Sequence, residues 1–198
     1  MSSPAYQRKR AAIEPVQHNP DDDLVGRGIA EWRTARPDLD SSGKEIIGRL
    51  IRLQEVVLKG IDEALRTHNL TYFEYAVLAT LRVSSEPYGL APGYLLSRLL
   101  CSSGGLSNLL KRLEKRGLVA RAADPDDGRG VLVQLTDAGH ELANQAMPTH
   151  AAAEIALVSM LSTSEREVLA GLLSRMLVGN APELMLATLE GRKPKNEG

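Results

Sequence analysis

Residues 102 to 136 constrain the fold more than any other stretch. Leu106, Leu109, Leu110 and Leu113 recur at three and four, the period of a helix with one buried side. Gly117 follows as a stop. Leu118 to Ala122 then reads as a strand, 124 to 130 (DPDDGRG) as a turn, and Val131, Val133 and Leu135 as a half-buried strand alternating with Leu132 and Gln134. A helix running into a two-stranded ribbon leaves few architectures open. Upstream, Leu90 to Leu100 reads as a short helix with Pro92 in its first turn, and Ser102 to Gly105 as a tight turn. The expected fold class is mainly α: a winged helix-turn-helix with a two-stranded β-wing, and a helical dimerisation region drawn from both chain ends.

Elsewhere the 198-residue chain is predicted to form helices, between a disordered arm and a disordered tail. Residues 1–20 read as a disordered arm. A short helix is expected over about 21–35, with carboxylates at Asp21 to Asp23 and an end at Arg36-Pro37. Asp40, Ser41 and Ser42 can cap a helix of about 25 residues whose apolar stripe, from Ile46 to Leu65, is broad enough for a dimer interface or a central core position. Thr71 and Glu74 form a capping-box pattern opening a helix to about Val83. Thr136 caps a long region to about 161, bent near Pro148. Ser162 and Glu165 open another helix to about Val178, and Asn180-Pro182 a final short one. The expected organisation is 1–20 arm, 21–40 extra helix and linker, 41–178 main domain, and 179–198 short helix and tail. Within the main domain, 41–70 and 137–178 would dimerise and 71–136 would form a DNA-binding lobe.

Charge placement points to nucleic acid. The chain carries a net charge of -1, yet between Arg98 and Arg121 six basic residues face one acidic residue, Glu114. The helix after Ser102 opens with small polar residues that allow close approach to a duplex. Ser102, Ser103, Gly105, Ser107, Asn108, Lys111 and Arg112 are the candidate major-groove contacts. Ser102 and Ser103 can equally serve as caps. At the turn, Arg129 suits a narrow minor groove and Asp127 can orient it, although DPDDGRG also reads as a plain hairpin turn.

Two stretches, SSGGLSNLLKRLEKRGLV and DPDDGRGVLVQLTDAG, together resemble the MarR family of dimeric winged-helix regulators. Asp127, Arg129, Leu135 and Thr136 occupy the places of that family's wing signature. The resemblance implies a homodimer on a pseudo-palindromic double-stranded DNA operator, released by a small aromatic or phenolic effector, in the cytoplasm. The extension with Trp32 and RPDLD resembles a PecS-like, urate-responsive branch. The effector residues implied are Trp32, Tyr72 and Tyr75. Ala76 and Leu109 stand where that branch carries Asp and Arg, which argues against urate.

Other chemistry is thin. The single cysteine, Cys101, reads as a small buried residue rather than a redox sensor, and it excludes a disulfide framework or a multi-cysteine zinc site. His140-Glu141 lacks the second histidine of a zinc-protease motif, because position 144 is Asn144. His68 is expected to meet the C-terminus of its own helix. No cofactor, metal, membrane segment or enzyme is expected. A protein-binding winged helix and an effector-independent DNA-binding protein are the alternatives.

Overall fold

The computed structural model describes residues 19–84, 89–99, 101–125 and 130–181. Asn19 accepts from the Asp21 N–H and opens a 3-10 turn over Pro20–Asp22. Helix α1 (Leu24–Ala35) then starts from Asp23, whose carboxylate accepts from the Val25 and Gly26 N–H groups, both at 2.8 Å. The capping carboxylate is thus the third aspartate of the run, and the helix begins three residues later than 21. It ends at Arg36, before Pro37, as the sequence predicts.

Helix α2 (Ser42–Leu65) carries α1 along its first half. Val25 lies so close to Gly48 that a side chain there would meet its Cγ1 at 2.8 Å. Asp23 pairs with Arg49 at 2.8 Å, and the Lys44 ammonium sits 3.8 Å from the centre of the Trp32 ring. Only Ile61, Ala64 and Leu65 of α2 are buried, all at its far end. Ile46, Ile47, Ile51, Leu53 and Val56 stay exposed.

The Gly26 N–H, and after it Arg49, holds the Asp23 carboxyl below its ordinary value. Such a group stabilises the fold above its unfolded pKa, and that contribution fades as pH falls through the lowered folded value. Helix α1 is therefore expected to loosen from α2 below about pH 4. Trp32 is the only tryptophan, so its emission reports the change. Asp23→Asn should show the loosened spectrum already at neutral pH. A wild-type spectrum in the variant would contradict the latch.

Helix α3 (Tyr72–Ser84) opens on the expected capping box, Thr71 with Glu74. The next element corrects the sequence reading. Leu90 is not helical: it bridges to Val133, with N–H to carbonyl bonds of 2.9 and 2.8 Å. Helix α4 is only Pro92–Arg98. Ser103 to Gly105 are not a turn but the first turn of α5 (Ser103–Lys115), because the Ser102 cap lets the helix begin there. Gly117, at φ +67°, closes α5 with bonds from the Gly117 N–H to Glu114 and from the Leu118 N–H to Leu113.

Strands β1 (Val119–Ala123) and β2 (Val131–Leu135) pair antiparallel, Val119 with Leu135 through Ala123 with Val131. The alternation in β2 is imperfect. Val131, at the outer end of the ribbon, is 41% exposed, and Leu132 is buried although the pattern put it toward solvent. Helix α6 (Asp137–Leu157) starts from Thr136, contains Pro148 and stops four residues short of 161. The Ser162–Glu165 capping box opens α7 (Thr163–Asn180). The predicted final helix and the arm before residue 19 lie outside the described residues. Leu65, Val77, Leu78, Leu81, Leu95, Leu113 and Val133 are fully buried, so one core joins α2 to α5 and the wing.

Candidate nucleic-acid interface

Helix α5 owes its orientation to one side. Leu106, Leu109, Leu110 and Leu113 are all buried, which turns Ser103, Gly105, Ser107, Asn108, Lys111, Arg112 and Lys115 outward together. At its start, the Ser102 hydroxyl accepts from the Gly105 N–H at 3.1 Å. A side chain at Gly105 would press on that hydroxyl at 3.2 Å. A serine hydroxyl also carries a donor, so capping and phosphate contact are compatible.

The charge here is more structured than the count suggested. Arg121 pairs with Glu114 at 3.2 Å. Arg98 lies over the Tyr94 ring and donates to its hydroxyl at 2.6 Å. Arg116 donates to the Asn69 carbonyl at 2.9 Å and faces Glu74 at 3.4 Å. Lys111, Arg112 and Lys115 point outward from α5, and of these Arg112 also faces Glu74, with its Nε at 3.8 Å. Sequence reasoning missed the role of Glu74: its capping box was legible, but its contact with α5 joins positions about forty residues apart. Asp127 and Arg129 lie outside the described residues. Strand β1 precedes and strand β2 follows the segment of sequence that holds them.

The three aromatic candidates do not meet within one chain. Tyr75 stacks on His150 with ring centres 4.3 Å apart, and Tyr72 lies 6.2 Å from the same ring. Burial, with Glu154 nearby, pushes the Tyr75 phenol up. His150 Nδ1 faces Glu154 at 3.4 Å, while its Nε2 is buried and has no hydrogen-bond partner among the described residues. Trp32 packs by Lys44, whereas the Tyr72 N–H binds Asp62. Lys44 and Asp62 stand 18 residues apart on α2, roughly 27 Å along its axis. His68 meets Thr149 of α6 at 2.8 Å rather than its own helix end, because it sits in the 3-10 turn after α2 and faces across to α6. A cleft of about 450 Å³ is lined by Asp62, Arg66, Thr71, Glu74 and Arg116 among others. Its two acids and two bases select neither anion nor cation. Among the described residues no cluster of His, Cys, Asp or Glu could hold a metal, and no helix is long and apolar enough to cross a membrane.

The MarR-family profile matches residues 68–130, which span α3, α4, α5 and the first strand of the wing. The chain is 33% identical to the HTH-type transcriptional regulator PecS of Dickeya dadantii (strain 3937) over 148 residues, covering 75% of this chain and 89% of that protein. The chain belongs to the MarR family. Among solved structures of this family, it is similar to apo wild-type MarR from E. coli, with TM-score 0.57 and 29% identity over 66% of this chain and 96% of that one. It also resembles MepR of S. aureus, solved as a DNA complex, with TM-score 0.61 and 27% identity over 67% of this chain and 97% of that one. The MarR-family chain described here is a DNA-binding winged-helix transcriptional regulator and not an enzyme.

Proposed function

We propose that this MarR-family regulator is a repressor that binds a pseudo-palindromic operator as a homodimer and is released by a small aromatic or phenolic effector. The observation that carries the reading is the outward face of α5, where Ser103, Ser107, Asn108, Lys111 and Arg112 share one exposed side over a fully apolar inner one. Ser102, Ser103 and Gly105 would approach the phosphates at the helix start. Ser107, Asn108, Lys111 and Arg112 would reach base edges and flanking phosphates in the major groove. Arg129, oriented by Asp127, would enter the minor groove beside it.

The division of labour follows the expected domains, with 71–136 reading DNA and 41–70 and 137–178 dimerising. The uncovered apolar residues of α2 and α7 support that division. The effector would lie against Tyr72 and Tyr75, where His150 adds a buried nitrogen with no hydrogen-bond partner among the described residues. Trp32 would join the same site only if a second subunit brings its α1 to that end of α2. Residues 21–40 would otherwise serve to brace α2, as the Asp23–Arg49 pair does.

The test is a gel-shift titration on DNA upstream of the protein's own gene, against random DNA. Asn108→Ala and Lys111→Ala are expected to cost about 1 to 3 kcal/mol each on the specific site if they read bases. Equal losses on both DNAs would contradict base reading. A panel of aromatic acids added to the bound complex should include one that releases it. If none does, the effector part of the reading fails.

A further inference from the structure

We propose that Glu74 is a positioning residue for DNA recognition, holding the reading helix α5 from behind through Arg112 and Arg116. The proposal rests on the reading of α5 as the major-groove helix.

The geometry divides the two oxygens of one carboxylate between two tasks. Oε2 accepts from the Thr71 N–H at 3.0 Å and from the Thr71 hydroxyl at 3.2 Å, which fixes the carboxylate at the start of α3. Oε1 is thereby left facing α5. It lies 3.4 Å from a terminal nitrogen of Arg116 and 3.8 Å from Nε of Arg112. The two arginines stand four apart and so share one face of the helix. The Glu74 side chain is only 10% exposed, so its charge is little screened by water.

The two arginines are held unequally. Arg116, 30% exposed, has a second anchor in the Asn69 carbonyl at 2.9 Å. Asn69 is the residue that ends the 3-10 turn, in the left-handed region at φ +55°. Arg112 is 63% exposed, and its Nε stands 3.8 Å from the carboxylate, beyond hydrogen-bond distance. A guanidinium has five donors, so Arg112 can keep the carboxylate on one edge and offer its other N–H groups to DNA. Glu74 would therefore fix the direction of a DNA-contacting side chain without touching DNA. The start of α3 is itself tied to the end of α2, because Asp62 of α2 accepts from the Tyr72 N–H next to the cap.

Losing the carboxylate should act oppositely on the two kinds of DNA. An acid beside the DNA-facing arginines lowers the positive potential of that face wherever the protein binds, and its removal favours random DNA. An unguided Arg112 loses its preferred geometry only on the operator. Glu74→Gln keeps an acceptor for Thr71 and removes the charge. The experiment titrates full-length wild type, Glu74→Gln, Arg112→Gln and the double variant on the upstream DNA and on random DNA.

Glu74→Gln is expected to bind random DNA as tightly as wild type or a few-fold tighter, and to lower the specific-to-random ratio about tenfold. In the Arg112→Gln background the same change should leave the ratio unaltered. A fall in the ratio that persists without Arg112, or an unchanged ratio in folded Glu74→Gln, overturns the proposal and leaves Glu74 a helix cap. If circular dichroism shows Glu74→Gln unfolded, Arg116→Gln removes the better-anchored arginine of the clamp, and the ratio must fall there instead. A wild-type protein with no selectivity at all would overturn the reading of α5 itself, a result distinguishable from either outcome for Glu74.

Discussion

Replacing Gly139 with alanine is expected to destabilise the fold by about 3 kcal/mol or more. A Cβ at Gly139 would lie 2.0 Å from the Leu118 carbonyl oxygen and 3.0 Å from its carbon, with Leu135 Cδ2 at 3.2 Å. That carbonyl cannot swing aside cheaply. It accepts from the Thr136 N–H, and the Leu118 N–H is committed to Leu113 at the end of α5. The Thr136 hydroxyl donates to the Gly117 carbonyl at 2.6 Å and accepts from the Gly139 N–H at 3.1 Å. The reading helix, both wing strands and α6 therefore meet at one crowded junction. Gly28→Ala is the control, since a Cβ there meets nothing within 4 Å. In that helix the change should stabilise by about 0.5 to 1 kcal/mol. Urea unfolding of the three proteins checks both signs. A Gly139→Ala midpoint equal to wild type would contradict the packing at the junction.

On the proposed homodimer, Leu172→Glu, alone or with Leu169→Glu, should yield monomer and weaken operator binding about 100-fold or more, since two linked half-site contacts would be lost as a unit. None of the described residues of α7 is buried within one chain, although Val168, Leu169, Leu172, Leu173 and Leu177 are large and apolar. Each such side chain contributes about 1.5 to 3 kcal/mol when a partner buries it. An unpaired carboxylate in its place is strongly unfavourable. Sedimentation gives the oligomeric state and a gel shift the affinity. A Leu172→Glu protein that still sediments as wild type would remove α7 from the interface.

What the sequence made legible was local. The boxes at Thr71–Glu74 and Ser162–Glu165, the stop at Gly117 and the leucine period of α5 are each written within a few residues, and each stands in the structure. What it hid depended on distant partners. Leu90 left its predicted helix because Val133 supplies a strand edge. Ser103 to Gly105, poor helix formers, joined α5 because Ser102 capped it and the leucines anchored it. The basic count between Arg98 and Arg121 overstated the uncompensated charge, since Glu74 faces Arg112 and Arg116 and Glu114 pairs with Arg121. Trp32 and the Tyr72–Tyr75 pair read alike as aromatic candidates, yet α2 keeps them at opposite ends. Glu74 was visible as a cap and invisible as a clamp, because nothing near it in the chain names Arg112 or Arg116.

Salt-dependent titration of the wild-type protein on its upstream DNA and on random DNA tests most directly whether α5 and the wing read an operator. The predicted result is tight binding to one DNA, weakening steeply as salt rises, with a selectivity of at least about a thousandfold over the other. Weak and equal binding to both would contradict an operator-reading face on α5.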